Sequence, residues 1–425
     1  MKRYPKYKDS GVKWIGEIPE HWEVKRLAMQ FSENKTKNSD YEYQRACKFN
    51  YGRIVPKNEV GDVSELKETY IAYTKVKRND IVINNLNLNY DFVSQRVAIV
   101  ENDGIITSAY LTITPRKDVF ASFYKWFFKA MDSKKLFHGM GTGIRLTLSY
   151  NELKKQQILV PPIEEQQAIV AYLDEKVGKI DRYISEKEKE IVALDELKQA
   201  TIANAVTRGL DPNAPLKDSG IKWIGNIPQH WEVKRLASVS YEHYISNKEV
   251  HHQNLLSLSY GRIIRKDINK TDGLLPSSFD TYQIVEEGNI VLRLTDLQND
   301  HRSLRVGLVK EEGIITSAYL TLGVRDNIIP QYLYYQLHSN DIHKVFYGMG
   351  DGIRQGLNWN GMRKLPMVLP PIKEQQAIVD YINTKTAKID QMKDGIKSEI
   401  EKLKEYKQRL ISDVVTGKVR VKGEK

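Results

Sequence analysis

Residues 8–28 read KDSGVKWIGEIPEHWEVKRLA, and residues 217–237 read KDSGIKWIGNIPQHWEVKRLA. Eighteen of 21 positions are the same, and the offset is 209 residues. The same offset carries Tyr51-Gly52-Arg53 onto Tyr260-Gly261-Arg262 and Gly139-Met140-Gly141 onto Gly348-Met349-Gly350. It carries the nine residues from Gly104 onto an identical run from Gly313, and Glu165 to Val170 onto an identical run from Glu374. Pro161-Pro162 becomes Pro370-Pro371 in the same register. The chain is therefore two copies of one unit, and a period of this length is domain-sized, not a solenoid repeat.

The copies agree unevenly. From Met29 to Asn50 only 3 of 22 positions match, and from Ile83 to Gln95 only 3 of 13. Loops drift under any circumstances, so divergence alone would produce this pattern. The alternative is one reader present twice and tuned to two different targets.

Within each unit the first part reads as short strands. Asp80 to Ile83 and Asn289 to Leu292 are β-branched runs, and Arg96 to Val100 leads into the Asn102-Asp103-Gly104 turn. An apolar run resumes from Ile105 to Thr114. Phe120 to Met131 and Pro330 to His338 are expected to be short, mostly buried helices. The unit then changes character after Val160-Pro161-Pro162-Ile163, where prolines stand just before a Pro-free stretch reaching about Thr207.

Apolar positions in that stretch step by four, three and four residues: Leu173, Val177, Ile180 and Ile184, then Ile191 and Leu194. The second copy has Ile382, Ile389, Ile396 and Ile400, with Thr386 and Lys393 interrupting. Such a seam flanked by Lys and Glu is that of a coiled coil. Lys187 stands where the other copy has Ile396, and Lys393 where the first has Ile184. The two helices, each roughly 66 Å long at 1.5 Å per residue, are thus expected to pair with each other. An antiparallel pair would relate the units by an approximate two-fold axis, matching DNA half-sites about one turn, roughly 34 Å, apart.

Bulk properties bound the partners. Lys and Arg number 65 against 54 Asp and Glu, giving a net charge of +11. An excess of positive charge speaks of partners, nucleic acid first among them, and not of fold. The single cysteine, Cys47, excludes a disulfide framework and a cysteine-based zinc site. No leader-like or membrane-spanning run is visible, so a soluble cytoplasmic protein is expected.

The layout resembles the specificity subunit of a Type I restriction-modification system. The resemblance rests on Trp14-Ile15-Gly16, Ile18-Pro19 and Trp22 with their second copy from Trp223 to Trp231. It rests also on the Pro-Pro-Ile-x-Glu-Gln entries at Pro161 and Pro370 and on the helix ends at Leu197-Lys198-Gln199 and Tyr406-Lys407-Gln408. It implies an α+β protein with two α/β target-recognition domains related by the tandem repeat and separated by two long helices pairing as an antiparallel coiled coil. The expected boundaries are residues 1–160 and 210–369 for these domains, with helical spacers at 161–209 and 370–425. The family reads a bipartite DNA target, one half-site per domain, and has no catalysis of its own. Its partners are two modification subunits that methylate adenine with S-adenosylmethionine, and ATP- and Mg-dependent restriction subunits. No cofactor is expected in this chain. The other class of reading is a coiled-coil adaptor with protein-binding α/β domains.

The residues themselves offer no catalytic constellation. Val160-Pro161-Pro162-Ile163 has two prolines but lacks the Asn/Asp and aromatic of an amino-methyltransferase motif. No P-loop is present, and Gly139 to Gly143 lacks its lysine. The histidines, including His243, His251 and His252, show no metal-binding spacing.

DNA-reading residues should be polar, lie in loops, and differ between copies if the half-sites differ. Asn84, Asn85 and Asn87 of the first copy, against Arg293, Thr295, Asp296 and Gln298 of the second, meet that description. Tyr51 and Arg53, Tyr260 and Arg262, and the glycine-flanked Arg145 and Arg354 are shared, which suggests phosphate positioning or folding. Residues 34–38 read as a solvated loop. The opening phrase, with Trp14, Ile18, Pro19 and Trp22 and their copies, reads as the apolar anchor of each domain on the helices.

Overall fold

The two long helices are present: Ile163–Arg208 and Ile372–Val415. Each follows a Pro-Pro pair, and a glutamine in its first turn caps the entry. Gln166 Nε2 donates to the Pro161 carbonyl at 2.7 Å, and Gln375 Nε2 to that of Pro370 at 2.9 Å. Acidic residues in the first turn, Glu164 and Glu165 in one and Glu374 in the other, suit the positive end of the helix dipole. The structure is a computed structural model that describes residues 3–58, 63–93, 95–144, 146–249, 252–269, 278–300, 302–349 and 356–421.

By contacts the chain forms two units. One comprises Met1–Lys187 with Ser398–Lys425, the other Glu188–Lys397, so each holds part of both helices. Within the first unit, Lys407 pairs with Asp181 at 2.6 Å and the Tyr183 hydroxyl donates to Glu399 at 2.9 Å. Within the second, Lys198 pairs with Asp390 at 2.6 Å and Lys393 with Asp195. Numbers rise along one helix as they fall along the other, so the pairing is antiparallel. Lys198–Asp390 is also the 209-residue counterpart of Lys407–Asp181.

The seam is as the spacing predicts. Leu173, Val177, Ile184, Leu194, Ile382, Ile389, Ile396 and Ile400 are buried, and Ile180 is partly so. Its two lysines each meet a carboxylate: Lys393 meets Asp195, and Lys187 lies 3.9 Å from Glu399.

The first unit's main sheet is antiparallel, in the order Phe31–Glu33, Leu111–Pro115, Ile81–Ile83, Val97–Ile99. The second unit repeats it with Ser240–Glu242, Leu320–Val324, Ile290–Leu292 and Val306–Leu308. Helices Ala121–Ser133 and Pro330–Ile342 occupy the expected stretches. Phe123, Phe127 and Phe128 share one core with Leu173 and Val177 of one long helix and Leu410 and Val414 of the other. In the second unit Tyr332, Leu333 and Leu337 share a core with Ile202, Val206 and Ile382. Each fully buried aromatic or aliphatic side chain contributes about 1.5–3 kcal/mol, so sheet and helices are held as one body within each unit.

A second sheet in the first unit joins Arg53–Pro56, Ala46–Asn50, Gly104–Ile106 and Thr74–Val76, with Gly104–Ile106 parallel to Ala46–Asn50. The apolar run from Ile105 to Thr114 is therefore two strands in two sheets, broken by a turn at residues 107–110.

Two expectations need correction. Residues 34–38 are solvated only in part: Lys35, Thr36 and Lys37 are exposed, but Asn38 is buried, its amide donating to the Tyr43 and Tyr70 carbonyls at 2.8 and 3.3 Å. Asn247, its copy, does the same for His252 and Phe279. The anchor role also fails for Trp223, which is 44% exposed, whereas Trp14 packs on Phe127 at 5.5 Å. The residue in place of Phe127 is Gln336, whose amide is committed to the main chain of Val368, leaving Trp223 without an aromatic partner there.

Candidate nucleic-acid interface

The divergent loop of each unit begins where a fully buried strand, Ile81–Ile83 or Ile290–Leu292, leaves the main sheet. It returns at Arg96 or Arg305, and both arginines are 0% exposed. A buried guanidinium is costly unless its donors are met, and here main-chain carbonyls meet the terminal nitrogens. Arg305 Nε donates to the Tyr347 hydroxyl at 3.0 Å, while Arg96 Nε has no partner among the described residues. Arg96 Nη1 donates to the carbonyls of Asn84 at 3.0 Å and Leu86 at 2.9 Å. Its Nη2 donates to Asn87 at 3.5 Å and Asp91 at 2.6 Å. Arg305 reaches Arg293 at 3.0 Å, Thr295 at 2.8 Å, Asp296 at 3.3 Å and Asp300 at 2.6 Å. The main-chain N–H of each arginine donates in turn to a buried carboxylate, Asp132 at 2.7 Å or Asp341 at 2.6 Å. Burial pushes both carboxyls up, and that N–H opposes the shift.

The candidate reading residues divide on this frame. Asn87 and Asp296 both hold left-handed backbone, at φ 51° and 57°. Asn87, Thr295 and Gln298 are exposed, while Asn84 and Asp296 are half-buried. Arg293 is partly exposed and lies 3.8 Å from Asp300. Asp300 is held down at about 2, first by the Ser303 hydroxyl and N–H, then by the Arg302 N–H and Arg305. Asn85 is corrected: it is buried, its amide donating to the Leu148 carbonyl at 2.8 Å and accepting from Leu111 N–H at 3.1 Å. It shapes the loop from inside and presents nothing outward. Leu88 and Leu297 are buried beneath the two loops.

Beside each loop stands a hairpin tip. Asn50 pairs with Arg53 and Ser259 with Arg262, leaving two-residue turns at Tyr51-Gly52 and Tyr260-Gly261. All four turn residues have positive φ, 45° and 72° in one tip and 46° and 74° in the other. That is the mirror-image turn that suits a twisted hairpin. A Cβ at its second position would also crowd the divergent loop, falling 2.7 Å from Gln95 Oε1 in one tip and 3.0 Å from Leu304 Cβ in the other. The tip thus abuts the end of the divergent loop. Tyr51 and Tyr260 are 82% and 80% exposed, and Arg53 and Arg262 are exposed beside them. In the first unit Ile144 joins the group, Asn89 Nδ2 donating to its carbonyl at 3.2 Å. Arg145 and Arg354 lie outside the described residues.

In the second unit a cleft of about 1080 Å³ opens between this tip and the helix pair, lined by Tyr260, Arg262, Lys198, Lys393, Tyr334 and His338. Burial, with Lys198 nearby, pushes His338 down to about 4, and its Nε2 lies 3.0 Å from Gln199 Oε1. The first unit has Lys129 at that position, pushed down to about 8 by burial and by Lys125, Lys407 and Arg53. Among the described residues no group of three or more His, Cys, Asp or Glu could hold a metal ion, and no helix is long and apolar enough to cross a membrane.

The arginine frame was not singled out from sequence. Its signal was available: Arg96-Val97 and Arg305-Val306 resume identity right after the divergent stretch from Ile83 to Gln95, and Asp132 recurs as Asp341.

Comparison with known proteins agrees with this organisation. Residues 7–192 match the Type I restriction modification DNA specificity domain. The chain is 24% identical, over 98% of both chains, to the protein assigned as the type I restriction enzyme MjaX specificity subunit of Methanocaldococcus jannaschii. It is 23% identical to the MjaVIII specificity subunit of the same organism, over 82% of this chain and 83% of that one. A chain of a type I R-M system solved for its complex assembly and conformational transition superposes with a TM-score of 0.69 at 14% identity, covering 94% of this chain and 98% of that one. The HsdS subunit from Thermoanaerobacter tengcongensis gives 0.51 at 16% identity, covering 95% and 98%. Residues 7–192 match the family's DNA specificity domain and are repeated at an offset of 209, so along its whole length the chain is similar to the specificity subunits of type I restriction-modification systems.

Proposed function

We propose that this chain reads a bipartite DNA target, one half-site per unit, and directs partner subunits to it without chemistry of its own. The observation that carries this reading is the pair of divergent loops. Their main chains are held alike by Arg96 and Arg305, while the side chains they display differ. The Tyr-Gly-Arg tips beside them are the same in both units, as befits contacts that position the backbone without choosing sequence. The net charge of +11 suits a polyanionic partner.

The partners are modification subunits that methylate adenine and restriction subunits that translocate and cleave. S-adenosylmethionine, ATP and Mg belong to those subunits, and the complex works on DNA in the cytoplasm. Co-expression with a cognate modification subunit, followed by sequencing of methylated bases, tests the reading. A bipartite methylated motif should appear with this gene and vanish with its deletion; an unchanged set of methylated motifs sinks it.

A further inference from the structure

We propose that residues 84–91 and 293–300 are interchangeable reading elements, clamped through their main chains by Arg96 and Arg305, whose outward side chains choose the bases of a half-site. This rests on the specificity-subunit reading above and locates the choice of bases within it.

Through its carbonyl bonds the clamp is blind to sequence. Arg96 and Arg305 bind carbonyl oxygens, which every residue carries, and they take the same four positions in each loop. Asn84, Leu86, Asn87 and Asp91 correspond to Arg293, Thr295, Asp296 and Asp300, and the matching distances agree within about 0.2 Å, finer than the half-ångström to which such sites must be held. Of these eight positions only Leu88/Leu297 and Asp91/Asp300 keep their identity. The leucine is buried, and the aspartate adds to its carbonyl bond a carboxylate 3.6 Å from Arg96 or 3.9 Å from Arg305, the one contact of the clamp that depends on residue type. What recurs is what the frame uses.

Packing alone does not call for this device. An apolar side chain of similar volume could fill the space without the desolvation penalty of a guanidinium. A carbonyl clamp does what apolar packing cannot, fixing the path of a loop whose side chains are free to change. The left-handed residue in each loop is Asn87 or Asp296, types that accept such backbone readily.

The test exchanges the exposed Asn87 and Tyr90 and the half-buried Asn84, Leu86 and Asn89, and no fully buried position. In the full chain, assembled with its modification subunit, Asn84→Arg, Leu86→Thr, Asn87→Asp, Asn89→Gln and Tyr90→Asn are combined, leaving Asn85, Leu88 and Asp91 in place. Methylome sequencing should then show one half-site acquiring bases of the other, with the second half-site and the gap unchanged. An unchanged motif from a stable complex overturns the proposal. So does loss of the fold, because the clamp should carry either set of side chains. If the unaltered chain supports no bipartite methylation, the specificity-subunit reading itself fails, and the two failures are told apart. Arg96→Lys, with the loop unaltered, should raise KM for target DNA at least tenfold while kcat and the methylated motif stay the same. A fall in kcat with KM unchanged would assign this arginine some other role.

Discussion

The Trp22 indole N–H donates to Glu165 Oε2 at 3.0 Å, joining the repeated opening phrase to the first turn of the long helix. Trp231 and Glu374 repeat the bond at 3.0 Å. Glu165 also accepts from the Tyr4 hydroxyl at 2.7 Å, and His21 Nε2 lies 2.6 Å from its other oxygen. Burial alone would raise the Glu165 carboxyl, but the Tyr4, His21 and Trp22 hydrogen bonds hold it below its usual value. Glu165→Gln should destabilise the first unit by about 1–2 kcal/mol, read as a lowered Tm. The wild-type contribution is present above the unfolded carboxyl pKa and is lost as pH falls through the lower folded one, so the gap between wild type and variant should close in acid.

Arg293 is the loop residue best suited to a guanine edge, with a side chain partly exposed and steadied by Asp300. Arg293→Ala should cost about 1–3 kcal/mol of binding at one half-site and relax the methylated motif at one position. Thermal stability should change little. Full methylation of an unaltered motif would remove Arg293 from the reading set.

Tyr51 sits in left-handed backbone with its ring in solvent, a conformation that costs a non-glycine residue about 1–2 kcal/mol and that Asn tolerates better. Tyr51→Asn should therefore raise Tm slightly while weakening DNA binding at both cognate and non-cognate sequences. Tyr260→Asn should behave alike. Paired thermal melts and DNA titrations check the opposed signs, and unimpaired binding by both variants would leave the tips without a role in DNA contact.

His338, held at about 4 in the folded unit, has an unfolded value near 6.5. Between those values the unfolded chain binds the proton and the folded chain does not, so stability falls as pH drops from about 6.5 towards 4. His338→Gln should flatten the Tm profile over that interval and leave it unchanged above pH 7. An equally steep profile in the variant would place the titration elsewhere.

The legible parts were those written as repetition or period. The offset paired Trp22 with Trp231, and the Pro-free stretch from Ile163 to about Thr207, with apolar steps inside it from Leu173, located a helix to within a residue or two of its ends. Asn85 misled because an Asn-rich turn looks alike whether its amides face water or, as here, the main chain of Leu148 and Leu111. Trp223 misled because its exposure depends on the exchange of Phe127 for Gln336, more than a hundred residues away. The three matches between Met29 and Asn50 include Asn38, which proved to be a buried tie and not a chance survivor.

By itself the sequence determined that one unit occurs twice, that a long heptad-bearing helix follows each copy, and that certain loops differ. Those are properties of order and spacing along a string. Only the tertiary structure decided which polar residues face outward and what holds them. Arg96 gathers carbonyls 5 to 12 residues back while its own N–H meets Asp132, 36 residues on. Main-chain carbonyls have no letter in the sequence, so a side chain whose partners are carbonyls leaves no pairwise signature, and its role emerges once the chain has closed around it.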